Sequence, residues 1–260
     1  MTAFRATPHI APMDWKETAI ILGTWPHGER GVIVEVLAQN RGRWRGRVPG
    51  GASRKARPLL QPGNIVQADW RARLEDQLGM MRIELIDGIA GRHLADPFAL
   101  DGLALLVADL HLLPEREPEP AMFRAARTVL DHLGEPTIWP ALLARLELAL
   151  LATLGFGLDL SRCAAGGSGP LVWVSPKSGR AVSEEAGRPY ADKLLPLPAF
   201  LRPDGQGEGQ GNRPVPAARD QADALRLTGF FLKRHVLTPR GLKEPHARDR
   251  IIRRLKERDT

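Results

Sequence analysis

Residues 16–87 read KETAIILGTWPHGERGVIVEVLAQNRGRWRGRVPGGASRKARPLLQPGNIVQADWRARLEDQLGMMRIELID. Five apolar, β-branched runs lie along this stretch, at 19–25, 32–37, 44–48, 65–72 and 80–86, separated by PHGERG, QNRG, GGASRKARPLLQPG and EDQLG. Glycine, proline and asparagine punctuate the runs because they supply the backbone angles that tight turns need. Five strands in about seventy residues leave no room for crossover helices, so the reading is a small antiparallel barrel. The OB-fold is the leading candidate, being five-stranded and able to bind single strands on one face; an SH3-like barrel has nearly the same signature.

Cationic charge concentrates in the same stretch. Between Arg41 and Arg57 there are seven arginines and lysines and no carboxylate. Arg41, Arg43, Arg45 and Arg47 alternate with Gly42, Trp44 and Gly46, so in an extended chain the arginines share one face and Trp44 takes the other. Gly50 and Gly51 turn the chain, and Arg54, Lys55 and Arg57 follow on a loop. Such a row suits a polyphosphate backbone; a solvated edge strand protected by its charges is the alternative. Trp44 and Trp70, interleaved with Arg43, Arg45, Arg71 and Arg73, have the composition of a single-strand groove in which aromatic faces stack bases. The rival reading puts both tryptophans in the barrel core, and alternation favours the core for Trp44.

After residue 96 the apolar period lengthens from two to about three and a half, giving helices over 98–113, 121–133 and 141–154. Residues 161–216 are dense in glycine and proline and read as an irregular insertion, with a flexible loop at GQGEGQGNRP. Helical pattern returns at 220–236 and 247–255. The expected division is a disordered extension at 1–13, a barrel at 14–90, a first helical part at 91–160, the insertion at 161–216 and a last helical part at 217–260. The class is α+β, multidomain.

Charge follows this division. Residues 1–90 carry 13 basic and 9 acidic side chains, residues 91–160 carry 5 and 10, and residues 161–260 carry 19 and 11. The net charge of +7 favours an acidic partner, nucleic acid before membrane, since no basic amphipathic stretch carries the aromatics of an interfacial anchor. The apolar runs at 98–113 and 141–158 are interrupted by charges, no secretory leader is visible, and Cys163 is the single cysteine, so a cytoplasmic setting is expected.

No nucleophile elbow, phosphate-cradling P-loop, dinucleotide fingerprint or His-Glu-x-x-His pair occurs, and no catalytic role is expected. His27 reads as a solvated turn residue, His235 as part of a basic surface, and the pairs Glu75-Asp76 and Glu184-Glu185 as surface charge. Residues 233–260 add ten basic side chains against four acidic ones, which marks Lys233, Arg234 and Arg240 as a possible second anion contact.

The order and spacing of KETAIILGTWPHGERGVIVEVL, PGGASRKARPLLQPGNIVQADWRARL, LLPLPAFL and LTGFFLKRHVLTPRGLKEPHARDRII resemble the bacterial RecO family over nearly the whole chain. The resemblance implies an N-terminal OB-fold and a helical domain, binding of single- and double-stranded DNA, and annealing of complementary strands. It also implies engagement of the C-terminal tail of single-stranded-DNA-binding protein and, with RecR, help in loading RecA. The expected DNA surface is Arg43, Arg45, Arg47, Arg54, Lys55, Arg57, Arg71 and Arg73; Arg124, Arg127 and Arg145 are candidates for the tail. Some family members hold zinc with four cysteines, whereas here Gly166, Ser183 and Ala186 align with three of them beside Cys163, so no metal or other cofactor is expected. An OB-fold RNA-binding module and a non-catalytic scaffold for an acidic protein are the alternative readings.

Overall fold

The computed structural model describes residues 13–74, 77–167, 169–202 and 215–259. The expected disordered extension before Met13, the Glu75-Asp76 pair and the GQGEGQGNRP loop lie outside these residues. The chain divides into two compact units, 1–92 with 114–120, and 93–113 with 121–260.

In the first unit, β1 (Met13–His27), β2 (Gly31–Ala38), β3 (Gly42–Val48), β4 (Ile65–Ala72) and β5 (Met80–Asp87) close a barrel in the order β1-β2-β3-β5-β4. Neighbours are antiparallel except β3 and β5, which meet in parallel at Arg47 and Met80. This is a five-stranded barrel of the OB type. β1 starts earlier than its apolar run because Asp14, Trp15 and Lys16 pair with Arg71, Trp70 and Asp69 of β4; a bulge between Ile21 and Gly23 then carries the strand along β2.

The barrel interior is built on Trp15, Trp44 and Trp70, whose ring centres are 5.8, 6.1 and 5.2 Å apart, surrounded by Val34, Val36, Ala68 and Met81. The Trp70 indole N–H donates to the carbonyls of Arg45 at 3.1 Å and Leu78 at 3.0 Å. Both Trp44 and Trp70 are therefore core residues, which corrects the reading that they stack bases: their side-chain parity points them inward, opposite to the arginines.

Residues 114–120, within the stretch read as the first helical part, group with the barrel. Glu115 bridges to Arg43 in parallel, and the Arg116 N–H donates to the Arg43 carbonyl at 2.8 Å. The Arg116 guanidinium lies 4.8 Å from the centre of the Trp44 ring. Gly42 makes this approach possible: its φ is 72°, and a Cβ there would come within 1.8 Å of the Glu117 carbonyl oxygen.

A short helix, α1 (Ile89–Arg92), follows β5 in the first unit, and the second unit contains α2 (Pro97–Leu110), α3 (Pro120–Asp131), α4 (Trp139–Thr153), the single turn α5 (Glu184–Gly187), α6 (Ala218–Leu232) and α7 (His246–Glu257). Asp96 starts α2 by accepting the N–H groups of Phe98 and Ala99, with Pro97 in the first turn. A π-helical turn, Lys233–Leu237, extends α6. Leu105, Leu143, Leu150, Leu225, Phe231 and Ile251 are among the buried side chains. Buried with them is a charge cluster: Arg248 of α7 faces Glu147 of α4 at 3.0 Å and Asp109 of α2 at 3.7 Å.

The insertion is more regular than its composition suggests. β6 (Leu171–Val174), β7 (Ala181–Ser183) and β8 (Leu195–Pro196) form a sheet in the order β7-β6-β8. Strands of two to four residues between prolines and glycines give too short an alternation to be read from sequence.

Candidate nucleic-acid interface

The alternation on β3 places Arg43, Arg45 and Arg47 outward, but two of these three cations are used by the protein itself. Glu35 on β2, opposite Arg45 in register, is buried and accepts from Arg43 Nε at 2.6 Å and Arg45 Nε at 2.8 Å. Glu115 lies 2.9 Å from Arg45 and 3.7 Å from Arg43. The hydrogen bond to Glu35 raises the Arg45 pKa beyond its ordinary value, outweighing burial. Arg43 is only 8% exposed, and Arg41 pairs with Glu17 at 3.2 Å. Arg43 is buried against these carboxylates, which corrects the expectation that it faces a ligand, while Arg45 stays exposed with its charge paired: adjacent guanidiniums repel, and a buried carboxylate between them offsets that repulsion.

Arg47, Arg54, Lys55 and Arg57 are exposed and make no ion pair among the described residues. Their loop is held firmly. Ser53 Oγ accepts the Ala56 N–H at 3.3 Å, Asn64 Nδ2 donates to the carbonyls of Pro58 at 2.8 Å and Leu59 at 3.1 Å, and Leu60 is buried in the barrel core. Anchored at both ends, the loop presents its three cations on a fixed frame.

The strand register adds an arrangement that the sequence reading missed. Trp25 is paired with Ile33, Ile33 with Arg47, Arg47 with Met80, and Met80 with Arg71. One row thus crosses all five strands, four inter-strand steps or roughly 19 Å, with two apolar side chains, Trp25 and Ile33, followed by Arg47, Met80 and Arg71. Trp25 is 43% and Met80 46% exposed. Arg71 is exposed with Asp69 at 3.3 Å, and Arg73 is exposed just beyond β4. Between the row and the loop lies a groove of about 590 Å³, lined by Leu59, Met80, Ile83, Arg71 and Arg82 among others.

The other expected contacts serve the second unit. Lys233 pairs with Glu244 at 3.1 Å, Arg234 donates to the Pro176 carbonyl at 2.6 Å, and Arg240 donates to the Leu112 carbonyl at 2.9 Å. These bonds tie chain segments together, while all three side chains remain exposed. His235 lies between the rings of Phe156, at 5.1 Å, and Phe231, at 6.0 Å. Arg127 bonds to Asp131 at 2.8 Å, and Arg145 lies 5.5 Å from the Phe200 ring centre and donates to the Phe200 carbonyl at 3.3 Å. Arg124 is exposed, with no ion pair among the described residues.

No group of three or more histidine, cysteine or acidic side chains placed to hold a metal ion occurs among the described residues. Cys163, Ser183 and Ala186 do meet, and Gly167 takes the fourth corner in place of Gly166: a Cβ on Gly167 would lie 3.7 Å from Cys163 Sγ, 2.8 Å from Ser183 Oγ and 3.7 Å from Ala186 Cβ. Four positions converge, but they supply a single sulfur, a donor set that does not fit a structural zinc. Burial pushes the Cys163 thiol up, yet hydrogen bonds from the Ser183 hydroxyl and the N–H groups of Ser183, Ala165 and Gly167 bring its pKa down to about 7.

Family models agree with this architecture. The model described as recombination protein O N terminal matches residues 13–89, and that for recombination protein O C terminal matches residues 104–244. The chain is 50% identical over 241 residues to the DNA repair protein RecO of Methylobacterium nodulans, covering 92% of this chain and 97% of that one. It is 49% identical over 237 residues to the DNA repair protein RecO of a Chelativorans species, covering 91% and 93%. The same protein of Bartonella quintana is 48% identical over 247 residues, covering 95% and 99%. No helix among the described residues is long and apolar enough to cross a membrane. The chain belongs to the RecO family of DNA repair and recombination proteins.

Proposed function

We propose that this protein is a recombination mediator that binds single- and double-stranded DNA through its barrel and anneals complementary strands without a bond-making centre. The observation that carries this reading is the row of apolar and cationic side chains from Trp25 to Arg71 beside an anchored loop with three uncompensated cations. Annealing requires neutralisation of two phosphate chains, release of their counterions and freedom for bases to find partners. Arg47, Arg54, Lys55, Arg57, Arg71 and Arg73 supply that charge; Arg43 and Arg45 do not, because Glu35 and Glu115 already balance them. By family analogy the protein partners are RecR and the acidic tail of single-stranded-DNA-binding protein, with RecA served indirectly. Arg124 is the tail contact that remains open among the three helical arginines.

The test is charge reversal of Arg54, Lys55 and Arg57 to glutamate, followed by a salt titration of DNA affinity. The slope of log affinity against log salt is expected to fall by about 0.7–0.9 for each phosphate that is no longer neutralised. An unchanged slope in the folded variant removes the loop from the interface. Annealing of complementary oligonucleotides at two salt concentrations separates a mediator from a scaffold, and preference for structured RNA over DNA in competition would favour the RNA-binding alternative.

A further inference from the structure

Trp25 stands apart from the other tryptophans. Trp15, Trp44, Trp70 and Trp139 are buried and Trp173 is half-buried, whereas Trp25 keeps 43% of its surface open. Its position is nonetheless defined. A Cβ on Gly23, two residues earlier, would lie 2.9 Å from the far edge of the indole, so the ring rests back along its own strand over a place without a side chain. The Arg45 guanidinium is 5.7 Å from the ring centre, and is itself held by Glu35 and Glu115. Arg47 lies two strands away in the same row, its Nε 3.4 Å from where a Cβ on Gly31 would stand, the residue that pairs with His27 at the end of the same hairpin.

An aromatic face already confined in orientation loses little freedom when a second ring covers it. A guanidinium beside the indole strengthens its attraction for a polarisable ring, and the next cation along the row is placed for the attached phosphate. Bases in a duplex are stacked on one another and cannot reach such a face without leaving the helix. We propose that Trp25 stacks an unpaired nucleobase, with Arg47 on the neighbouring phosphate, and that this contact lets the barrel distinguish a single strand from a duplex. Every base has a π face, so the contact is tolerant of sequence, as an annealing surface requires. The inference rests on the DNA-binding reading and names the element of that interface that recognises bases.

The experiment uses the full chain as wild type, Trp25→Ala and Trp25→Phe, with an oligo-dT strand and a duplex of equal length, by fluorescence anisotropy at several salt concentrations. Trp25→Ala is expected to weaken oligo-dT binding roughly tenfold or more, with Trp25→Phe recovering most of it. The salt slope stays the same because every cation that meets a phosphate is retained, and the weakening is confined to the single strand. Tryptophan emission of the wild type falls on binding oligo-dT, and that quench disappears in Trp25→Phe. Equal oligo-dT affinity for Trp25→Ala and wild type, or an equal weakening on the duplex, would overturn the inference. If the wild type binds neither ligand, the DNA-binding reading itself falls; if it binds and the loop reversal flattens the slope while Trp25→Ala changes nothing, only the stacking contact is wrong.

Discussion

Replacement of Arg248 by alanine is expected to cost about 3–5 kcal/mol of stability in the helical unit, measured as a lower denaturant midpoint of its helical circular dichroism signal. Arg248 is buried and bonds to Glu147 Oε2 at 3.0 Å and to the Leu225 carbonyl at 3.0 Å, with Glu244 at 3.6 Å. Thr228 also bonds to Glu147 through its hydroxyl. Removal of the guanidinium leaves the buried Glu147 carboxylate without its cation, which explains the size of the effect. The double variant Arg248→Met, Glu147→Leu removes both charges together and is expected to recover most of that stability. Should the double variant be as unstable as Arg248→Ala, unpaired charge is not the cause.

The same cluster sets a pH dependence. Burial, then the nearby Glu147 carboxylate, raises the Asp109 pKa well above the ordinary carboxylate range, against the pull of Arg248. The unfolded chain releases this proton near the usual value of about 3.9, while the folded chain holds it to higher pH. Folding therefore takes up a proton between the two values, and this contribution to stability is lost as pH rises. Asp109→Asn lacks that slope, so it is expected to gain on the wild type as pH is raised from about 4 toward 7. Denaturation midpoints of the two proteins that stay a constant distance apart over this range would contradict the linkage.

Trp70→Ala is expected to destabilise the barrel by about 3–5 kcal/mol, seen as faster amide exchange throughout β3, β4 and β5. The indole packs 5.2 Å from Trp44 and 6.1 Å from Trp15, and its removal also leaves two backbone carbonyls without their donor. Trp25→Ala, which opens no interior space, should stay within about 0.5 kcal/mol of wild type in the same measurement. The contrast separates a tryptophan that holds the fold from one that is free for a ligand.

Strands β2 to β5 were legible because each is bounded by turn residues and carries a short apolar run, and Trp44 could be oriented by parity alone. Trp70 has the same parity argument available, yet the arginines on either side of it equally suit a groove, so composition did not decide between core and surface. Arg43 and Arg45 looked available because their partners are distant in sequence: Glu35 is opposite by register and Glu115 arrives some seventy residues later. No local pattern encodes such a meeting. Trp25 carried one faint signal, a glycine two positions before it on the same face of the strand; the register of β1, β2 and β3 put Arg47 in its row, and only the parallel joint of β3 with β5 added Met80. The short strands of the insertion fall below the length at which period is informative.

The return of residues 114–120 to the barrel makes the polypeptide pass between the two units three times, near 92, 113 and 120. Severing the chain once after Arg92 would therefore not release a complete N-terminal module: the piece would lack the Glu115 carboxylate that balances Arg45 and the Arg116 guanidinium that caps Trp44. Its exterior would carry more unbalanced positive charge than the same surface does in the intact protein, and its affinity for any polyanion would overstate the native one. Dissection of this protein by simple truncation thus measures a surface that the whole molecule does not have.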